Sequence, residues 1–335
     1  MARIYVYFFI YNYLFFFVAA DKFPNFVSLF VFFMLLNVNY LKHGYKIAVV
    51  APAGRLAEGV LDPLLYALKR WSLHPVVGKH VYAQDYTFAG ADDLRREDFQ
   101  QAINNSEIKA IFCARGGYGS SRIIDDIDFS PLLKMPKLLV GFSDITVLHA
   151  RWHRLGLASI HGAMSAHFPL DGQDDGTMAS LRKALFGEAL HYELPPHPFN
   201  CCGEVQGMLV GGNLSIIAHL TGSADEWNTE GKILFLEDIN EPLYVIDRMM
   251  VHLRRSGKLN GITGLLVGQF INIKDGETPF GKTAYEIIAE QVKDLNIPVA
   301  YAFPAGHEKP NLALPFGSSM KFSVNKDFVA IDFKM

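Results

Sequence analysis

Cysteine is scarce in this chain. The 335 residues carry three: Cys113, Cys201 and Cys202. Two are neighbours, which is poor geometry for pairing with each other, and none belongs to a C-x-x-C. A disulfide framework and a zinc cluster are both disfavoured, and a reducing compartment fits. An excess of one charge is missing too, since 31 Lys and Arg stand against 34 Asp and Glu for a formal net charge of -3. That balance supplies neither a basic footprint for nucleic acid nor an acidic tail. No internal repeat is visible. What remains is a chain that is half apolar and long enough for two domains of ordinary size.

The apolar residues are unevenly spread. Residues 4–36 are almost wholly apolar and aromatic, broken by Asp21-Lys22-Phe23-Pro24-Asn25. Ile4–Ala20 sits at the short edge of a membrane span, and Phe26–Leu36 is shorter still. Arg3 and Val18-Ala19-Ala20 together suggest an export signal or a membrane anchor. The alternative is translated AT-rich non-coding sequence, with Met34 as the start. We prefer the alternative, so that residues 1–43 are an extension irrelevant to activity. A membrane association follows only if the segment is native.

From residue 44 onward, strands and helices alternate. Lys46–Ala51 reads as a buried parallel-type strand, with Pro75–Gly78, Lys109–Ala114 and Leu138–Gly141 as the next three strands. Helices are expected over Val60–Trp71, Asp92–Ile103 (capped by Asp92), Ser120–Ile127 and from Ser143 or Asp144 to Leu155. This alternation predicts an α/β fold with a doubly wound parallel sheet, whose sites form at the carboxyl ends of strands. Residues 169–202 are rich in Asp, Gly and Pro and read as the connection, with a short helix over Met178–Phe186. A second domain, 203–335, mixes strands at 203–210, 232–236, 264–268 and 298–302 with helices at 214–220, 244–256 and 283–295. It closes with an antiparallel hairpin over Met320–Phe333.

Three loops at strand ends carry chemistry: Pro52-Ala-Gly54, Arg115-Gly-Gly-Tyr-Gly119 and Gly141-Phe-Ser-Asp-Ile145. The last is a strand, a sharp turn and a helix, with a serine on the turn. That is the layout of a nucleophile elbow, although Ile145 replaces the second glycine of G-x-S-x-G. Ser143 or Asp144 acting only as a helix cap is the competing reading, and on this segment alone it carries more weight. A nucleophilic serine needs a base and an orienting acid. His307 and His161 are candidate bases. Glu237, at the end of a buried strand, is the best orienting carboxylate. Glu237, Asp238, Glu241 and Asp247 also read as a solvated acidic turn or as ligands for a hard cation. His149 and His153 are spaced i, i+4 but lack a third ligand. The loop 115–119 is a poor phosphate cradle, since Arg122 stands where a third glycine falls. It fits one half of an oxyanion hole better, with backbone N–H groups from Gly117 and Asp144.

The segments Ala114–Gly119, Val140–Thr146, Leu236–Glu241 with Tyr244 and Asp247-Arg248, and Gly306-His307 through Asn311–Gly317 occur in this order. Together they resemble the LD-carboxypeptidase family of serine peptidases, which includes murein tetrapeptide carboxypeptidases and microcin C immunity proteins. The resemblance spans residues 44–333. It implies a flavodoxin- or Rossmann-like N-terminal domain (44–168), a linker (169–202) and a smaller C-terminal β-rich α/β domain (203–335). It implies a triad of Ser143, Glu237 and His307, with Gly117 and Asp144 as oxyanion donors and no cofactor or metal. The implied reaction releases terminal D-alanine from a murein tetrapeptide during cell-wall recycling, by a cytoplasmic homodimer with no nucleic-acid partner. Arg115, Tyr118, Arg122 and Trp227 are the substrate-binding candidates. Glu308 departs from the family's glycine after the histidine. Its charge is expected to raise the pKa of His307 or to meet a cationic substrate group. Cleavage of peptide–nucleotide antibiotics and a non-catalytic ligand-binding module are the alternatives. The segment between Ser143 and Glu237 is short for the antibiotic-cleaving branch, so the recycling enzyme is preferred.

Overall fold

The computed structural model describes residues 3–10, 13–19, 31–34, 40–169 and 173–334. The chain divides into two compact units, Met1–Asn37 and Val38–Met335. In the first, Arg3–Ile10, Tyr13–Ala19 and Val31–Met34 pair as a three-stranded antiparallel sheet. Aromatic and β-branched residues favour that pleated geometry. Among the described residues, no helix is long and apolar enough to cross a membrane. The interruption at Asp21–Asn25 and the alanine that would end the cleavage site, Ala20, lie outside the described residues.

The second unit holds two sheets. In one, the parallel strands run in the spatial order His74–Val77, Lys46–Val50, Ile108–Cys113, Leu138–Gly141, Ser159–His161, with Leu314–Phe316 added antiparallel at the far edge. Numbered along the chain, the five parallel strands lie 2-1-3-4-5, the flavodoxin-like order. The order reverses between Lys46–Val50 and Ile108–Cys113. Sites in such sheets form at the carboxyl ends beside this reversal, where Pro52–Gly54 and Arg115–Gly119 emerge and are joined by the hydrogen bond from the Gly54 N–H to the Gly116 carbonyl.

The other sheet has seven strands, in the order Val299–Ala300, Gly264–Ile271, Ile233–Ile239, Gly203–Asn213, Ser319–Val324, Val329–Phe333, Leu190–Leu194. Gly203–Asn213 serves two partners. Its first half pairs antiparallel with Ser319–Val324, and its second half pairs parallel with Ile233–Ile239. The segment read as a connection contributes the helix Thr177–Phe186 and the edge strand Leu190–Leu194. Asp174 starts that helix by accepting from the backbone N–H groups of Gly176, Met178 and Ala179. Residues 170–172 of the same stretch lie outside the described residues.

The two sheets meet through aromatic side chains. His161 and Phe316 of the first sheet pack on Phe235 of the second, with ring centroids 5.0 and 6.2 Å away. Each wholly buried phenylalanine contributes roughly 1.5–3 kcal/mol of transfer free energy. A polar tie adds to this packing, because the backbone N–H of Asn213 donates to Thr146 Oγ1 at 3.1 Å. A Cβ on Gly212 would lie 2.5 Å from that same oxygen, so the approach requires glycine. The helix after Ser143 is thereby fixed against the strand beside Glu237.

Candidate active site

Leu138–Gly141 ends on glycine because Ile145 returns over it. A Cβ on Gly141 would meet Ile145 Cγ2 at 2.9 Å. Ser143 follows with φ +63°, in the left-handed region that an L-residue adopts only under constraint. The cap reading is not what the structure shows. Neither Ser143 nor Asp144 caps the helix Thr146–Arg154, and Asp144 Oδ2 accepts instead from the backbone N–H of Ser120 at 2.8 Å. Burial pushes the Asp144 carboxyl up, with the Ser120 hydrogen bond opposing. Asp92 is likewise no cap: it is the first residue of Asp92–Asn104 and pairs with Arg95 and Arg122.

The serine hydroxyl reaches His307, with 3.1 Å between Oγ and Nε2. His307 Nδ1 lies 2.8 Å from Glu237 Oε2. Glu237 is wholly buried, and the His307 side chain is 15% exposed. The chain turns into this histidine through Gly306, at φ +143°, where a Cβ would press on Gln269 and on Glu237 Oε2 at 3.2 Å. Phe142 packs edge-on against the imidazole at 4.9 Å between centroids. A hydroxyl, an imidazole and a buried carboxylate in one hydrogen-bonded line can remove a proton from the serine as it attacks, and can stabilise the imidazolium that results.

The loop Arg115–Gly119 lies alongside. A Cβ on Gly116 would sit 2.9 Å from Ser143 Cβ, so glycine is what lets the loop touch the elbow. Gly117 follows at φ +100°. Among the described residues, the backbone N–H groups of Gly117 and Asp144 have no protein acceptor.

His161 is not the base. It is wholly buried between Phe142, Phe235 and Phe316, and burial holds its pKa well below the usual imidazole value. His149 is spent on Ser159 Oγ at 2.8 Å and on the carbonyl of Gly141 at 2.9 Å. The acidic cluster divides its work. Asp238 accepts from Asn213, from the Ser215 N–H and hydroxyl, and from the Ile239 N–H. Burial, then the neighbouring Glu237, raises its pKa to about 6. Glu241 accepts from Ser215 Oγ.

The substrate-binding candidates separate. Arg122 is held by both carboxylate oxygens of Asp92, whereas Arg115 is exposed and donates to the carbonyl of Arg55. Tyr118 is 54% exposed and packs on Phe88. Trp227 is buried against His153 and Phe316, so its ring is no open stacking platform. Glu308 is exposed, and its backbone N–H donates to Gln269.

Two features go beyond the sequence reading. The first is buried Arg95, whose guanidinium hydrogen-bonds loops flanking the site. Local pattern gave no signal for it. The second is Gly276–Thr283, which matches G-x-x-x-x-G-K-T ahead of the helix Ala284–Val292. Here the motif builds a capping box, not a phosphate cradle. Glu286 Oε2 accepts from the Thr283 N–H and hydroxyl, and Lys282 pairs with Glu290. A carboxylate already stands where a phosphate would bind.

A strained serine hydrogen-bonded to a carboxylate-held histidine, beside unspent backbone donors on a parallel sheet, is the equipment of a serine hydrolase. Comparison with known proteins narrows that class. Residues 47–162 match the LD-carboxypeptidase N-terminal domain and residues 206–322 the LD-carboxypeptidase C-terminal domain. A probable murein peptide carboxypeptidase of Bacillus subtilis is 34% identical over 306 residues, covering 89% of this chain and 96% of that protein. The murein tetrapeptide carboxypeptidase of Pseudomonas aeruginosa is 31% identical, covering 84% and 94%. The crystal structure of muramoyltetrapeptide carboxypeptidase from Oxalobacter formigenes superposes with TM-score 0.79 at 28% identity, covering 87% and 99%. The chain belongs to the LD-carboxypeptidase family and is a serine-type carboxypeptidase.

Proposed function

We propose that this enzyme hydrolyses the amide between an L-centre and the terminal D-alanine of a murein tetrapeptide. The observation that carries the mechanism is the Ser143–His307–Glu237 line, at 3.1 and 2.8 Å. Ser143 Oγ attacks the scissile carbonyl while His307 Nε2 takes its proton. The carbonyl oxygen gains negative charge and is met by the N–H groups of Gly117 and Asp144. His307 then gives its proton to the departing amine of D-alanine, leaving an ester on Ser143. Water, deprotonated by the same imidazole, hydrolyses the ester and restores the serine. Glu237 keeps the imidazole in the required tautomer and stabilises its charged form. Arg115, which among the described residues is not tied to a carboxylate as Arg122 is, takes the substrate's terminal carboxylate.

The substrate assignment rests on the relatives named above. The antibiotic-cleaving alternative calls for an aromatic platform, which buried Trp227 does not offer. We assign the work to the cytoplasm, where free Cys113, Cys201 and Cys202 are stable, and to a homodimer, as the family resemblance suggests. The test of the reaction is a pair of tetrapeptides differing only in the configuration of the last alanine. Release of alanine from the D-terminated peptide alone supports the assignment, and equal release from both contradicts it.

A further inference from the structure

The guanidinium of Arg95 is wholly enclosed, although the residue sits in the charged run Asp92-Asp-Leu-Arg-Arg-Glu-Asp98. A buried cation is costly unless its donors are met. Arg95 Nη1 donates to the carbonyl of Pro52 at 2.5 Å and to that of Gly119 at 3.0 Å. Its Nε donates to the carbonyl of Gly90 at 3.2 Å, and its Nη2 to Asp92. The ring of Phe88 lies 5.0 Å from the charge. Gly119, at φ +140°, packs directly on the guanidinium, since a Cβ there would lie 2.7 Å from Nη1.

These acceptors are not scattered. Pro52 begins the loop whose Gly54 N–H donates to the carbonyl of Gly116 at 2.9 Å. Gly119 ends the loop that carries Gly117, and the next residue, Ser120, is tied to Asp144. The stretch 116–120 is therefore held at Gly116, at Gly119 and at Ser120. Among the described residues, the N–H of Gly117 itself has no protein partner. Its aim depends on those anchors, and the side chain that ties Gly119 to a neighbouring loop is Arg95, beside the local turn hydrogen bond from the Arg122 N–H.

We propose that Arg95 is the positioning residue of the oxyanion loop, fixing the Gly117 N–H by holding Gly119 and Pro52 on one planar guanidinium. This rests on the assignment of Gly117 as an oxyanion donor. Lysine replaces it only in part, because one ammonium group cannot reach the carbonyls of Pro52, Gly119 and Gly90 and the carboxylate of Asp92 at once, as the three guanidinium nitrogens do.

The test uses the full chain, with Arg95→Ala and Arg95→Lys beside wild type. Two rates are read: hydrolysis of the murein tetrapeptide, and labelling of Ser143 by a serine-directed fluorophosphonate. The expected result for Arg95→Ala is a kcat about 10²-fold lower, the scale of one lost oxyanion donor, with KM little changed. Labelling slows in parallel, and millimolar guanidinium ion restores part of both rates while ammonium does not. Arg95→Lys falls in between, and it decides the matter through the same two rates if the alanine variant does not fold. A variant that melts lower yet retains wild-type kcat and labelling rate overturns the proposal and leaves Arg95 a structural residue. Loss of rate that guanidinium does not restore, in a folded variant, also overturns it. Wild type that neither cleaves nor labels overturns the reading of the site itself, which separates the two failures.

Discussion

The hydroxyl of Ser143 and Nε2 of His307 lie 3.1 Å apart, although 164 residues separate them in sequence. Ser143 comes from the first sheet's fourth parallel strand, and His307 from beyond the last parallel strand of the second sheet. Contact between the sheets is thus what brings the two side chains together. Replacing Ser143 by alanine should lower kcat by at least about 10⁴-fold, as for other triad serines, and leave the melting transition unchanged. Steady-state kinetics beside circular dichroism read both.

Glu237→Gln keeps the volume of a wholly buried side chain but lets its amide donate to His307 Nδ1, which selects the wrong tautomer. A kcat about 10⁴-fold lower is expected, with substrate affinity retained. Activity within a few-fold of wild type would show that Glu237 is only a packing residue.

At Gly116 the prediction is steric. An alanine Cβ would stand 2.9 Å from Ser143 Cβ and 3.2 Å from the carbonyl oxygen of Phe142. Either the loop or the elbow must move, and a displacement near 1 Å costs about 10²-fold in rate. Gly116→Ala should therefore lose kcat far more than it loses thermal stability, as parallel kinetics and melting would show.

Arg115 and Arg122 give a contrast. Arg122 is held by Asp92, which it shares with Arg95, whereas among the described residues Arg115 has no carboxylate partner. Arg115→Ala should raise KM about 10- to 100-fold for a peptide ending in a free carboxylate, the scale of one charge-assisted contact. It should leave KM unchanged for the same peptide ending in an amide. Arg122→Ala should show no such discrimination.

Acid stability follows from buried histidines. Burial lowers His149, His153 and His167 to about 4 and holds His161 well below the usual imidazole value. Each is neutral in the fold and titrates near 6.5 when unfolded, so unfolding takes up protons between those values. The stability they give is complete above about pH 6.5 and is lost as pH falls toward about 4. Urea unfolding at pH 7, 6 and 5 should show stability dropping stepwise, and a flat profile would contradict neutral burial.

Much of this was written in local pattern. The apolar run that stops at Gly141 marks a strand end and makes the serine on the following turn legible, whereas the strand read as ending before Glu237 continues to Ile239, because pairing with its neighbours carries it through the acidic pair. Spacing alone could not choose between His307 and His161, since the choice depends on which one faces the elbow across the sheet boundary. The edge strands Leu190–Leu194 and Leu314–Phe316 are short, and long-range pairing rather than propensity makes them strands. Asp92 looked like a cap because cap residues are recognised by position. Its real partners, Arg95 and Arg122, are set by tertiary packing. Arg95 was invisible for the same reason, since a charged helical run reads as a solvated face until the loops close over it.

Release of D-alanine from a murein tetrapeptide by Ser143 is open to product analysis by mass spectrometry. Purified wild type and Ser143→Ala would be incubated with the tetrapeptide, with folding of both checked beforehand. Wild type should yield a tripeptide and free D-alanine, and the variant should leave the tetrapeptide intact. Intact tetrapeptide from folded wild type, or equal cleavage by both proteins, would contradict this role of Ser143.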